Sequence, residues 1–186
     1  MERREFLEWM VATGGIASLS RLGVGDLEAM GREAHASGRT APVLNAHAAA
    51  LVTASAERII PATDTPGATQ AGVTKFVETM LSGWYPPADR ERFMRGLATL
   101  DERSRTLGVR DFLSLTTAQQ DALLQQFDDE VSAARAARAP DANAHWFAML
   151  KYLTVWGYCT SDVGMRDTLH SWPPPMRYDG NVEVKP

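Results

Sequence analysis

The sequence has little cysteine, no long apolar run and no excess of positive charge. Its 186 residues include one cysteine, Cys159, so no intrachain disulfide can form and no cluster of thiolates can hold a metal. No stretch of about 18 consecutive apolar residues occurs, which disfavours a membrane-spanning helix. With 19 basic and 23 acidic residues and a net charge of −4, the chain lacks the basic surface that binds nucleic acid. We therefore expect no nucleic-acid partner.

The common motifs of catalysis and cofactor binding are also missing. The sequence contains no Gly-rich dinucleotide fingerprint, no phosphate-binding loop, no serine-hydrolase elbow and no C-x-x-C-H haem attachment site. Cys159 is predicted to be a buried small residue, because no histidine lies near it in the sequence to activate it. The four histidines are scattered, without a metal-binding spacing, and are interpreted as surface or ordinary structural residues: His35, His47, His145 and His170. We predict no catalytic, cofactor-binding or metal-binding residue, and expect that the chain is not catalytic alone.

What the sequence does contain is helical periodicity. Apolar residues recur every three or four positions and predict helices over about 44–60, 70–81 and 88–107. Turn-forming residues at 61–67 separate the first two. No run alternates with a period of two for long enough to be a strand. The predicted fold class is all-α: a compact bundle of about five to six helices with long Pro-rich loops and an N-terminal signal helix.

The second half of the chain carries the clearest helix signals. Thr116 and Gln119 have the spacing of a capping box and predict the start of a fourth helix. Asp141 or Asn143 is predicted to cap the most apolar helix, which extends to Trp156 and should form the centre of the core. A short helix is predicted over 161–169. We expect residues 43–186 to form one helical domain.

The N-terminus has the composition of an export signal. A charged start is followed by a weakly apolar segment, and residues Arg3, Arg4, Phe6 and Leu7 resemble the R-R-x-F-L core of a twin-arginine (Tat) signal. The alternative is an amphipathic first helix, but arginines at a helix N-terminus oppose the helix macrodipole. We predict a twin-arginine signal-like segment over 1–36. Ala34-His35-Ala36 fits a small-x-small cleavage pattern after an unusually charged approach, so cleavage and retention both stay open.

Aromatic residues are concentrated beside prolines in the loops. Trp84 and Tyr85 precede Pro86, and Trp172 and Tyr178 lie on either side of a proline run. Each one alone would serve to cover an end of a small core. Together they indicate a surface that packs against a larger protein, because aromatic side chains are enriched in the centres of interfaces.

Three ordered blocks resemble one known family. Residues 59–73 read IIPATDTPGATQAGV, residues 115–124 read LTTAQQDALL, and residues 153–164 read LTVWGYCTSDVG. They are similar to the I-I-P-x-x-D-T-P-G-A-x-x-A-G-V signature, the central helix opening and the G-Y-F-T-S-E-x-G segment of the gluconate 2-dehydrogenase subunit 3 family. Cys159 replaces the usual aromatic residue and Asp162 the usual glutamate. The tail at 176–180 fits the family's P-G-x-Y-x-G ending, except at Met176 and Arg177.

The resemblance implies a function in a complex. Family members are small subunits of periplasmic sugar dehydrogenases whose large subunit is a GMC-type flavoprotein with FAD, and a c-type cytochrome with haem c commonly receives the electrons. The small subunit often bears the twin-arginine signal for the pair. The resemblance extends to glucoside 3-dehydrogenase complexes. It implies a non-catalytic, chaperone-like subunit for maturation, export through the Tat translocase and stability of the flavoprotein, with no cofactor of its own. Its expected location is the periplasm, either free or held at the membrane through its partners.

Two other hypotheses remain open. The chain could be an independent cofactor-binding enzyme, or its segment from Tyr158 to Gly164 could contribute to the partner's active site or electron path. Under the preferred reading, the predicted partner-interface residues are those of the matching blocks and the loop aromatics. They are Pro61, Asp64, Thr65, Pro66, Gly67, Trp84, Tyr85, Trp156, Tyr158, Thr160, Ser161, Asp162, Trp172 and Tyr178.

Overall fold

Residues 23–36, 42–138 and 145–170 are described by the structure, which is a computed structural model. Within these ranges the chain forms helices and no strand, which confirms the predicted all-α class. A 3₁₀ turn at Phe112–Ser114 and a π-helical turn at Gly164–Thr168 complete the list of elements. The α-helices are α1 (Val24–Ala36), α2 (Ala46–Ile59), α3 (Val73–Gly83), α4 (Pro87–Thr106), α5 (Thr117–Ala136) and α6 (Trp146–Thr160).

Helix α6 lies at the centre of the bundle, as its composition predicted. Twelve of its 15 residues are buried, on every side of the helix, and it packs against each of the other five helices. A helix that is apolar all round can be stable in a water-soluble fold only when neighbours cover all its faces. The hydrophobic core is therefore organised around α6, and both ends of this helix decide how the surrounding elements are placed.

Of the two helix caps predicted from the sequence, one is confirmed and the other is wrong. The capping box is confirmed: Gln119 Oε1 accepts from the Thr116 backbone N–H at 2.9 Å, and Thr116 Oγ1 accepts from the Gln119 backbone N–H. The prediction that Asp141 or Asn143 caps α6 is wrong, and both residues lie outside the described ranges. The cap is His145, whose Nδ1 accepts from the Phe147 backbone N–H at 3.2 Å.

Two predicted helices have different boundaries in the structure. The helix predicted to begin at 70 begins at Val73, because the preceding residues form turns that end at Gly72 in the left-handed region (φ 71°). The helix predicted over 161–169 is mainly the π-helical turn. Sequence periodicity did not indicate the 3₁₀ turn, which begins where Asp111 Oδ1 accepts from the Ser114 backbone N–H at 3.0 Å.

The N-terminal end of α6 is held by aromatic packing. Trp146 lies edge-on to Phe127 of α5, with ring centroids 4.9 Å apart, and a Cβ on Gly96 of α4 would overlap the indole ring. The guanidinium of Arg103 lies 4.2 Å from the Phe127 ring centroid and its side chain pairs with Glu130. We call these five residues the aromatic end of the bundle.

Helix α1 packs on α3 and α6, although it belongs to the segment predicted to be signal-like. Leu27 and Ala34 are buried in the common core. The residues of the twin-arginine pattern, Arg3, Arg4, Phe6 and Leu7, lie outside the described ranges, so the export signal stays a prediction. Among the helices described, none combines the length and apolar character needed to cross a membrane.

Candidate partner-docking site

The connection between α2 and α3, residues 60–72, is fixed by one carboxylate. Glu57, in the last turn of α2, accepts hydrogen bonds from the Ala62 backbone N–H (3.0 Å), the Thr69 backbone N–H (2.9 Å) and the Thr69 hydroxyl (2.6 Å). Burial acts to raise the pKa of Glu57, but the bonds from Thr69 and Ala62 outweigh it and hold that pKa below its ordinary value. An ionised carboxylate thus ties both ends of the loop to α2.

The loop closes so tightly over Glu57 that a glycine is required. A Cβ on Gly67 would overlap Glu57 Oε1 and would lie 2.6 Å from the Ala62 nitrogen. The Gly67 backbone N–H donates to Gln70 Oε1 at 2.9 Å, and the Ala68 backbone N–H donates to the Ile60 carbonyl at 2.9 Å. The glycine of the D-T-P-G-A block is therefore explained by close packing of backbone against carboxylate.

A tyrosine at the end of α6 joins this loop to the π-helical turn. The Tyr158 hydroxyl lies 2.7 Å from the Pro66 carbonyl, to which it donates, and 2.7 Å from the Thr168 hydroxyl. Since one phenol has a single proton, Thr168 donates to Tyr158 when Tyr158 donates to Pro66. Two segments more than 90 residues apart in the sequence thus meet on one side chain.

The turn after α6 is shaped by Ser161 and Gly164. Ser161 Oγ donates to the Tyr158 carbonyl at 2.7 Å and accepts from the Gly164 backbone N–H at 2.9 Å. A Cβ on Gly164 would overlap the Tyr158 carbonyl oxygen. The S-D-V-G sequence is therefore needed to turn the chain sharply back over the end of α6.

Through its bonds to Pro66 and Thr168, Tyr158 brings exposed residues of the loop and of the turn to the same end of α6, and we call this group of residues the docking ridge. It consists of the exposed residues 61–64 in the loop, Asp162, the exposed residues 166–168 of the π-helical turn, and Leu169, which follows that turn. Its carboxylates are Asp64, Asp162 and Asp167, and its apolar part includes Leu169, which is 48% exposed. An apolar side chain beside charges on a fixed backbone is typical of the core and rim of a protein interface.

Eleven of the fourteen predicted interface residues divide into two groups. Pro61, Asp64, Thr65, Pro66 and Asp162 lie at or beside the docking ridge, with Pro66 and Thr65 half-buried. The second group is buried within the chain itself, so its side chains are not exposed for contact with a partner. It contains Gly67, Tyr85, Trp156, Tyr158, Thr160 and Ser161.

The two loop aromatics after α3 have opposite environments. Trp84 is 43% exposed, so it remains available for contact, and it belongs to the α3–α4 connection. Tyr85 is 7% exposed and burial raises the pKa of its hydroxyl, so the expectation that it contributes surface is not met. Trp172 and Tyr178 lie outside the described residues.

The metal-ligating and nucleophilic side chains Cys159 and His47, both within the described ranges, have ordinary structural surroundings. No group of three or more His, Cys, Asp or Glu side chains is placed there to hold a metal ion. Cys159 is half-buried and burial raises the pKa of its thiol to about 12, so the thiolate is scarce at neutral pH. His47 pairs with the buried Asp101 at 2.6 Å, which is an ordinary structural contact.

Sequence reasoning missed two residues that define the ridge. Glu57 belongs to none of the motifs in the sequence, and its signal is only its position just before a turn-rich loop whose free backbone N–H groups need acceptors. Leu169 ends the short helix that the sequence predicts over 161–169, and that prediction does not indicate that its side chain is exposed. Leu169 is exposed because of the π-helical turn, and no local sequence preference indicates such a turn.

A comparison with protein families identifies the relatives of this chain. Residues 46–176 match the family model described as gluconate 2-dehydrogenase subunit 3. This range contains α2 to α6, the loop and the docking ridge, and it excludes α1. Neither the curated proteins nor the solved structures that were searched gave a match.

Proposed function

Because the chain belongs to the gluconate 2-dehydrogenase subunit 3 family, we propose that it is a non-catalytic small subunit which binds the large subunit through the docking ridge. The family consists of subunits of dehydrogenase complexes, so a dehydrogenase chain is the expected partner.

One observation carries the proposal. The residues of two family-like blocks, at 59–73 and 153–164, meet through the bond between Tyr158 and Pro66, and each block uses a glycine that tolerates no side chain. Such constraints could serve either a catalytic centre or a defined surface. Here they converge on a rigid exposed loop without a histidine, a reactive thiol or a metal-ligand cluster within it.

A rigid loop is well suited to docking. Ordering a flexible loop on binding costs conformational entropy, whereas a loop already tied by Glu57 and Tyr158 pays that cost during folding. A small subunit that binds the folded form of the large subunit, and not its unfolded chain, would stabilise the folded form by mass action. Such stabilisation of the folded large subunit during maturation would be a chaperone-like role.

The proposal also includes an export route for the complex, the cofactor of the partner, the electron acceptor and the class of substrate. We propose that Arg3 and Arg4 direct the folded pair through the Tat translocase to the periplasm, and that the partner is a GMC-type flavoprotein loaded with FAD. A c-type cytochrome with haem c would accept the electrons, and the substrate would be a sugar or glycoside oxidised at a CH–OH group. The chain would hold none of these cofactors itself.

The assembly test is a tagged purification from the producing cells, with mass spectrometry and an absorption spectrum of the eluate. We expect flavin absorbance to appear only with a co-eluting larger chain. A subunit that elutes alone would contradict the assembly role. A flavin, haem or metal spectrum on the isolated chain would favour the independent-enzyme hypothesis.

The export test changes Arg3→Lys together with Arg4→Lys, which preserves charge and removes the guanidinium groups. We expect the large subunit to remain in the cytoplasm, with its flavin bound and its activity intact in the lysate. The matched control is Arg21→Lys, a similar change outside the twin-arginine pattern. Normal export of the partner with both arginines replaced would overturn the proposed address.

A further inference from the structure

Helix α1 is attached to the bundle by two hydrogen bonds of the core helix. The indole Nε1–H of Trp156 donates to the Leu27 carbonyl at 3.0 Å, and His35 Nε2 donates to the Gly157 carbonyl at 2.7 Å. The two bonds lie near opposite ends of α1, so the whole helix is held along α6. Both α6 residues belong to the matching family range, whereas α1 precedes that range.

The contact between α1 and α6 is also close in its middle. A Cβ on Gly31 would lie 2.5 Å from Thr160 Cγ2 and 2.7 Å from Thr160 Cβ, so only a glycine lets the helices approach this far. Gly25, in the first turn of the same helix, has nothing within 4 Å of its Cβ position. The small residue at 31 is thus a fitted part of the interface.

Apolar and aromatic contacts complete the attachment. Leu27 is 3% exposed and Ala34 is 1% exposed, and the His35 ring lies 5.0 Å from the ring of Phe76 on α3. Phe76 in turn lies edge-on to Trp156 at 5.4 Å. Removal of α1 would open Phe76, Trp156 and the end of α6 to water, which is unfavourable for large apolar surfaces.

We propose that α1 is a permanent part of the folded subunit and that the chain is not processed after Ala36, despite the small-x-small pattern Ala34-His35-Ala36. A protease acts readily on exposed, non-helical backbone, whereas this pattern is helical, with Ala34 buried and His35 bonded to α6. If an export signal is removed, the cut lies upstream of Val24. The proposal does not depend on which partner the subunit binds.

The direct test is the intact mass and N-terminal sequence of the full-length gene product purified from the cells that make it. A mature chain that still contains residues 24–36 supports the proposal. A chain whose first residue is any of 25–37, or lies further downstream, overturns it. Both outcomes are independent of whether the partner co-purifies, so failure here is distinguishable from failure of the proposed function.

A second test asks whether α1 contributes to the fold, with the same substitution at two positions of one helix. Gly31→Ala places a methyl group against Thr160 and should lower the melting temperature of the full chain by about 3 °C or more. Gly25→Ala has open space and should leave it unchanged or raise it slightly. Equal melting temperatures for the two variants would show that α1 is not packed in this way and would overturn the proposal.

Discussion

The two ends of α6 are built from different interactions. At the aromatic end, Trp146, Phe127 and Gly96 fill space with rings and backbone. At the other end, Tyr158 and Ser161 form specific hydrogen bonds that shape the docking ridge. Close packing of apolar groups contributes most to global stability, while directional bonds near the surface determine local shape. We infer that the aromatic end stabilises the bundle and that the opposite end is shaped for a partner.

The largest effect is expected from Gly96→Ala at the aromatic end. The added Cβ would overlap the ring of Trp146, whose neighbours Phe127 and Phe147 leave it little freedom to move. Such overpacking should lower the free energy of unfolding by about 3 kcal/mol, as measured by denaturant titration. Gly83→Ala, with nothing within 4 Å of the new Cβ, is the control and should change it little. A loss of unfolding free energy in Gly96→Ala as small as that in Gly83→Ala would contradict the claim that the aromatic end contributes most to stability.

A smaller global effect and a larger local one are expected from Tyr158→Phe. The change removes the hydroxyl bonded to Pro66 and Thr168, which should lower the free energy of unfolding by about 1 kcal/mol. Hydrogen exchange of the backbone amides at 63–69 should accelerate more than exchange in α5. Uniform acceleration of hydrogen exchange throughout the chain would contradict the claim that the Tyr158 hydroxyl stabilises this loop locally.

Glu57→Gln should give a weaker effect that depends on pH. The pKa of Glu57 is held below its ordinary value of 4.5, so its contribution to stability is present above that pH and is lost as the pH falls through the lower folded pKa. The melting temperature of the variant should therefore lie below that of the wild type at neutral pH, and the difference should shrink below about pH 4.5. A difference that is constant with pH would mean that the charge of Glu57 is irrelevant.

The smallest effect concerns His35, which joins α1 to α6. Burial lowers the pKa of His35 below its ordinary value of 6.5, although the Gly157 carbonyl and Asp162 act to raise it and Lys75 lowers it further. The unfolded chain then binds the proton more readily, so this contribution is complete above about pH 6.5 and is lost as the pH falls below it.

His35→Gln should flatten that pH dependence. Between about pH 7 and pH 5, the wild type should lose more stability than the variant in chemical denaturation. The pKa of His145 is also lowered, first by burial, but both proteins contain His145, so its contribution cancels in the difference. Parallel curves for the two proteins would contradict a buried neutral His35.

Much of the fold could be predicted because its signals are local. The periodicity of α2 to α5, the capping box at Thr116 and the uniformly apolar α6 each depend on residues within a few turns of one another. The cap of α6 was misplaced because an imidazole nitrogen acts as the acceptor at His145, where Asp or Asn is the commoner choice. The π-helical turn has no comparable local signature.

The site was only partly predictable because it depends on contacts distant in sequence. The matching blocks drew attention to Asp64, Pro66 and Tyr158, but only the fold shows which of them face solvent. That Trp156 binds α1 and that Glu57 holds the loop follow from helix packing. Neither contact could be inferred from periodicity, which specifies the buried face of a helix but not the segment that covers it.

The most direct test compares the affinity of the large subunit for two matched double variants of this chain. The large subunit is first purified with its native small subunit and then separated from it. Asp64→Arg with Leu169→Arg alters the docking ridge, while Glu102→Arg with Leu107→Arg makes the same charge changes at exposed residues of α4 and its end. We predict unchanged melting temperatures, at least about 100-fold weaker binding for the ridge variant, and binding within about threefold of wild type for the control. Equal affinities for the two variants would contradict the claim that the docking ridge is the partner interface.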